Sequence, residues 1–195
     1  MRAVTIANAW PKPGEPFTVD DLERMPDDGR RYELIDGMLI VSPAANMAHQ
    51  RVAFLLGMQL EDACPDDLVV FGAAVNVRFS LRSALEPDVV VASVADAEGA
   101  RVRLTSTPLL VAEVLSPDSV LRDLNLKKAA YERFGIPSYW VVDPDLDRPS
   151  LRAFELYDGS YTEVADVTGD DRFSARKPFR VEIVPERLVA KLRRR

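Results

Sequence analysis

The stretch 111-VAEVLSPDSVLRDLNLKKAAYERFGIPSYWVVDP-144 decides how this chain is read. It opens on an apolar run, passes through a segment of helical period and closes on a second apolar run. Short runs rich in Val and aromatic residues between turn residues are strand signals. Between them a helix is expected from about Ser116–Ser119 to Phe134, with Leu121, Leu124, Tyr131 and Phe134 on its apolar side. Gly135 then sits where a left-handed helix stop is needed, and Pro137 prevents continuation. One residue breaks the first strand's apolar character: Glu113, flanked by Val111, Ala112, Val114 and Leu115. A carboxylate inside such a strand requires a partner.

Working outward, 86-EPDVVVA-92 is another Val-rich strand with an acid, Asp88, held at its start by Pro87. Residues 68–79, LVVFGAAVNVRF, are also β-prone, and a charged loop is expected around 95–104. Upstream, 31-RYELIDGMLIVS-42 predicts a hairpin across Asp36-Gly37, and Asn46 to Cys64 carries Val52, Leu55, Leu56 and Leu60 at helical spacing. A short helix is expected at 18-TVDDLERM-25, capped by Thr18. Downstream, 151-LRAFEL-156 and 160-SYTEVADV-167 predict a hairpin across Asp158-Gly159, and 185-PERLVAKLRRR-195 a short helix with a basic end. Pro11, Pro13, Gly14 and Pro16 make residues 1–16 an extended arm, leaving 17–195 as a single domain. The class is mixed α/β (α+β), a mixed sheet flanked by helices.

Composition narrows the function. The 47% hydrophobic and 29% charged residues are ordinary for a globular chain. No apolar run approaches the roughly 20 residues of a membrane span, and the N-terminus lacks an apolar signal core. A cytoplasmic location and no membrane partner are therefore expected. The single cysteine, Cys64, excludes an internal disulfide and a multi-cysteine zinc site. A net charge of -6 argues against a surface basic all round, as an architectural DNA-binding protein would have. It leaves room for an enzyme that crowds carboxylates around a cation.

Asp88 and Glu113 on neighbouring strands would present oxygen ligands suited to Mg²⁺ or Mn²⁺. The alternative is that Asp88 caps a turn and Glu113 pairs with an arginine. Asp123, Lys127 and Tyr131 stand at i, i+4 and i+8 and share one helix face. Lys127 would either pair with Asp123 or reach the strand edge, while Lys128 turns toward solvent. Asp143 and Asp145 read as a turn held by Asx hydrogen bonds. Tyr139 and Trp140 read as core, and Cys64 as a buried thiol ending a helix.

These motifs, in this order, resemble one family. YELIDGMLIVSP, a helix opening with a His, EPDVVVA, LVAEVLSP and DLNLKKAAYERFGIPSYWVVDP are similar to the Uma-type restriction endonucleases of the PD-(D/E)xK nuclease superfamily. The resemblance spans roughly 17–190. It implies a restriction-endonuclease-like fold and a metal-dependent DNA endonuclease, with Asp88 and Glu113 as metal ligands and the Val114 carbonyl as a further candidate ligand. The superfamily's lysine position, two after Glu113, is Leu115 here, and in this family Lys127 from the next helix supplies it. Glu33 matches an early acidic position supporting the site, and His49, the single histidine, a helix-start position of accessory role. Mg²⁺ or Mn²⁺ is the implied cofactor, DNA the implied substrate and a homodimer the expected assembly. The competing readings are an inactive nucleic-acid-binding or assembly protein on the same scaffold, and hydrolysis of RNA or another phosphodiester.

Overall fold

The Val-rich runs become the middle of a six-stranded sheet because both of its faces are covered. The computed structural model describes residues 11, 14–72, 75–100, 103–117 and 119–192. Most of the arm expected over 1–16 and the basic end at 193–195 lie outside the described residues. The strands are β1 (Arg31–Ile35), β2 (Met38–Ser42), β3 (Leu68–Phe71), β4 (Val77–Ser80), β5 (Ser83–Leu85) and β6 (Val89–Ser93). They continue with β7 (Leu110–Val114), β8 (Ser138–Asp143), β9 (Ser150–Tyr157), β10 (Ser160–Thr168), β11 (Phe173–Ala175) and β12 (Val181–Ile183). The helices are α1 (Val19–Leu22), α2 (Met47–Glu61), α3 (Val94–Gly99), α4 (Lys128–Arg133) and α5 (Pro185–Val189).

The large sheet runs β10-β9-β8-β7-β6-β3. β7 and β8 are parallel, as a strand–helix–strand crossover requires, and the other pairs of this sheet are antiparallel. A second sheet, β2-β1-β5-β4, carries the early hairpin, and β11 pairs with β12. Strand alternation sorts the large sheet's residues into two cores. Val89, Val91, Ala112, Val114, Trp140 and Val142 pack against Val52, Leu56 and Leu60 of α2 and Leu188 of α5. Val90, Val111, Leu115, Tyr139 and Val141 pack against Ile35, Leu85, Ala130, Tyr131 and Ile136. Two covered faces explain why these strands read as nearly unbroken apolar runs.

Both hairpins have the expected turns. Asp36 (φ 52°) with Gly37 (φ 82°), and Asp158 (φ 48°) with Gly159 (φ 81°), give the paired left-handed residues of a type I′ turn. Gly37 is required twice over, since a Cβ there would come within 2.6 Å of the Pro16 Cβ. Gly135 (φ 76°) ends α4 with Ile136 N–H donating to the Tyr131 carbonyl (3.1 Å) and its own N–H to the Glu132 carbonyl (3.0 Å), a Schellman stop.

Three local expectations change. The β-prone 68–79 is two strands, β3 and β4, in different sheets, interrupted at Gly72. Composition cannot show that break, because both halves have the same propensity and only their partners differ. Within the expected charged loop, Val94–Gly99 is a helical turn, with Ser93 Oγ accepting from the Asp96 N–H (3.1 Å). The helix expected over 116–134 is wound as a π-helix from Arg122 to Lys127 before continuing as α4. Such wide i→i+5 turns occur frequently at functional sites.

Candidate active site

Asp88 and Glu113 are neighbours because of strand register. β6 and β7 pair with Val89 opposite Ala112, so one step beyond, Asp88 stands across from Glu113. Glu113 falls between Val111 and Leu115 in the alternation, facing the side that carries the π-helical turn. From that turn Asp123 and Lys127 both enter the interior, 2% and 1% exposed. Glu33 arrives from β1 in the smaller sheet. Lys127 Nζ lies 2.8 Å from Glu113 Oε1 and 2.9 Å from Glu33 Oε1. Tyr131 completes the cluster by donating its hydroxyl to Glu113 Oε1 at 2.7 Å.

Asp88 is held separately. Arg31 Nη1 donates to Oδ1 (3.0 Å), the Val114 N–H to Oδ2 (2.8 Å), and His49 Nε2 lies 3.0 Å from Oδ2. His49 is in the first turn of α2, where Asn46 Oδ1 caps the helix by accepting from the His49 N–H (2.9 Å). Glu33, His49, Asp88, Glu113 and Lys127 are thus all buried and share one neighbourhood. A cleft of about 140 Å³ opens onto Asp88, Glu113, Asp123 and Lys127, with Arg31 and Arg122 in its wall. A hollow of about 260 Å³ elsewhere touches Glu86 and Tyr32 but none of these acids.

The electrostatics follow from burial and from an excess of acids. Burial pushes the Glu113 carboxyl up to about 8, and the charges of Asp88, Asp123 and Glu33 add to this against the pull of Lys127. Asp123 is raised for the same first reason, again opposed by Lys127. Asp88 goes the other way. Burial would raise it, but the hydrogen bond and charge of His49, then Arg31 and the Val114 N–H, bring it down to about 2. Burial would strip the proton from Lys127, yet Glu113, Glu33 and Asp123 raise it, so it remains an ammonium. The Tyr131 hydroxyl, buried beside Glu113, is held well above its usual range and stays protonated.

Among the described residues no three His, Cys, Asp or Glu side chains are grouped so as to hold a metal ion. A cation in the cleft would draw on two carboxylates, Asp88 and Glu113, the latter met by Lys127 and Tyr131 at Oε1. That donor set fits Mg²⁺, which keeps most of its waters and takes one or two carboxylates plus substrate phosphate. Glu33 Oε2 and His49 Nδ1 are buried without hydrogen-bond partners, further signs of polar capacity around the cluster.

Sequence reasoning missed Arg31, Arg122, Asp123 and Tyr131 as parts of the site. The spacing of Asp123, Lys127 and Tyr131 did signal a shared face, and Arg31 alternates with Glu33 on one side of β1. Elsewhere, Asp143 Oδ1 and Asp145 Oδ1 accept main-chain N–H groups at 2.7–3.1 Å, the Asx turns expected. Trp140 and Tyr139 are core. Lys128 is half-buried instead of pointing to solvent, its ammonium 4.1 Å from the centroid of the Phe154 ring. Cys64 is half-buried at the core's edge.

The fold is a mixed α+β sheet flanked by helices, with a buried cluster of acids and one lysine at the edge of its large sheet. Residues 19–188 match the Uma2 family, described as "Putative restriction endonuclease", and the chain belongs to that family. A solved structure with the same fold is described as a "putative nuclease belonging to DUF820" from Anabaena variabilis. It is 17% identical, aligns over 91% of this chain and 99% of its own, and superposes with a TM-score of 0.69. No curated protein matches the sequence.

Proposed function

We propose that this protein is a metal-dependent endonuclease that hydrolyses DNA phosphodiester bonds. The observation that carries the reading is Lys127 Nζ lying between Glu113 and Glu33 in the cleft that Asp88 also lines. Asp88 and Glu113 would hold Mg²⁺ or Mn²⁺, with the Val114 main chain alongside. Bound there, the cation would supply Lewis-acid stabilisation of the phosphate's developing charge and favour deprotonated water. Lys127 has two roles from its position. Its ammonium keeps Glu113 ionisable in a buried setting, and it stands ready to orient the attacking water and to stabilise the charge developing on the phosphate oxygens. Glu33 holds Lys127 from behind, also accepting the Glu86 N–H at 2.9 Å, and Tyr131 fixes the Glu113 rotamer. His49 and the Val114 N–H orient Asp88.

Membership in a restriction-endonuclease family supports DNA as the substrate. Two chains acting together would convert single-strand hydrolysis into a double-strand break, so a homodimer belongs to this proposal. No helix among the described residues is long and apolar enough to cross a membrane. The test is plasmid nicking. Purified protein nicks supercoiled DNA with Mg²⁺ or Mn²⁺ and not with EDTA, while Asp88→Ala and Lys127→Ala lose the activity. Nicking that survives both substitutions, or that needs no divalent cation, refutes the assignment.

A further inference from the structure

Two arginines stand in the cleft wall with no part in the chemistry above. Arg31 comes from β1 and Arg122 from the π-helical turn, and each side chain is 22% exposed. Each lies against a buried acid through a single nitrogen. Arg31 uses Nη1 for both of its hydrogen bonds, to Asp88 Oδ1 at 3.0 Å and to the Glu86 carbonyl at 3.2 Å, and its Nε lies 3.9 Å from Glu86 Oε2. Arg122 donates Nη1 to Ser42 Oγ at 2.9 Å, and its Nε is 3.5 Å from Asp123 Oδ1. In neither case does the carboxylate receive the parallel two-point fork by which Arg usually closes a structural ion pair. The Nη2 group of each makes no hydrogen bond among the described residues.

We infer that Arg31 and Arg122 form a phosphate subsite, two anchored guanidiniums whose free Nη2 groups receive the oxygens of a nucleic-acid phosphodiester beside the acid pair. The inference rests on the nuclease reading for its ligand class. Anchoring through Nη1 restrains the long side chains in advance, so less rotamer freedom is lost when phosphate arrives. Three acids, Asp88, Glu113 and Asp123, line the same cleft, Glu33 lies behind Lys127, and the chain carries a net charge of -6. Phosphate would be repelled from such a pocket without local cations, and Lys127 is already engaged by two carboxylates. Arg31 and Arg122 are the other Lys or Arg residues lining the cleft.

The experiment measures binding of inorganic phosphate by calorimetry in metal-free buffer, and of a fluorescein-labelled 20-base-pair duplex by anisotropy in Ca²⁺. Arg122→Gln should weaken both by about tenfold. It should also reduce the slope of log K against log salt by about 1. Arg122→Lys keeps the charge without the fork and should recover the salt slope more than the affinity. Mn²⁺ affinity of Arg122→Gln, measured separately, should not fall, since the substitution removes a cation. Wild-type affinity and slope in folded Arg122→Gln and Arg31→Gln would overturn the subsite. If plasmid is still nicked in that case, the nuclease reading stands without it. If phosphate binding weakens as expected but duplex is neither bound nor nicked by wild type, the subsite stands and the DNA nuclease reading falls.

Discussion

The two faces of the six-stranded sheet use the same strands for opposite ends. On one face Val89, Val91, Ala112, Val114, Trp140 and Val142 meet α2 and α5, and the layer is apolar throughout. On the other face Val90, Val111, Leu115 and Tyr139 form an equally dry layer, but Glu113 is set into it, with Asp88 at its edge. Apolar residues in place of the whole Glu113–Lys127 pair would suit that face at least as well, because buried ion pairs seldom recover the cost of desolvating both charges. The difference teaches how to read each residue. Strand alternation alone divides β7 into positions that stabilise the fold and one position that the fold tolerates at a cost.

That contrast can be broken most sharply at Lys127. Lys127→Met leaves Glu33 and Glu113 without their cation and should destabilise the protein by about 3–5 kcal/mol in urea unfolding, besides ending nicking. Adding Glu113→Gln should restore part of the stability and none of the activity. A single Lys127→Met variant as stable as wild type would mean that the cluster is not charged as described. On the apolar face, Leu56→Ala removes a fully buried side chain and should cost about 2–5 kcal/mol through the cavity it leaves. Nicking by the remaining folded fraction should be unchanged, and a disproportionate loss of kcat would show that the two faces are coupled.

The smallest effect is a slope. Glu113 is raised from 4.5 to about 8 by burial, so the folded state holds its proton where the unfolded chain has released it. Its contribution is fully present below pH 4.5 and is lost as pH rises toward 8, at up to about 1.4 kcal/mol per pH unit. Asp88 is lowered from 3.8 to about 2, so its contribution is present above pH 3.8 and lost as pH falls toward 2. Metal-free Glu113→Gln should therefore show a flatter stability profile between pH 4.5 and 8 while keeping the acid limb. The same alkaline decline in wild type and variant would place the titration on another group.

Much of the fold was legible because its causes are local. Asp36-Gly37 and Asp158-Gly159 make their turns through their own backbone preferences, and Gly135 stops its helix for the same reason. Apolar runs bounded by Pro and Gly predicted the central strands, and an acid within each marked the positions that needed a partner. What failed was whatever depends on the choice of partner. Residues 68–79 divide between two sheets because β3 pairs with β6 while β4 pairs with β5, a selection that neither half encodes in its propensity. The π-helical winding at Arg122–Lys127 was not legible either: within it the Tyr139 hydroxyl donates to the Asp123 carbonyl, a long-range contact that no local pattern encodes.

The candidate site divides in the same way. Asp88, Glu113 and Lys127 were named from one strand–helix–strand sequence with its preceding strand, where spacing and resemblance both act along the chain. Glu33 and His49 came from resemblance alone, without contacts. Tertiary structure decided that Glu33 holds Lys127, that His49 and Arg31 hold Asp88, and that Arg122 shares the cleft with Asp88, all across segments far apart in the chain. Sequence by itself determined which residues could not be left unpaired in an apolar strand, because desolvation acts on each residue wherever it is buried. Only the folded chain decided what pairs with them, because charge acts through space and the sheet register, not the sequence, sets those distances.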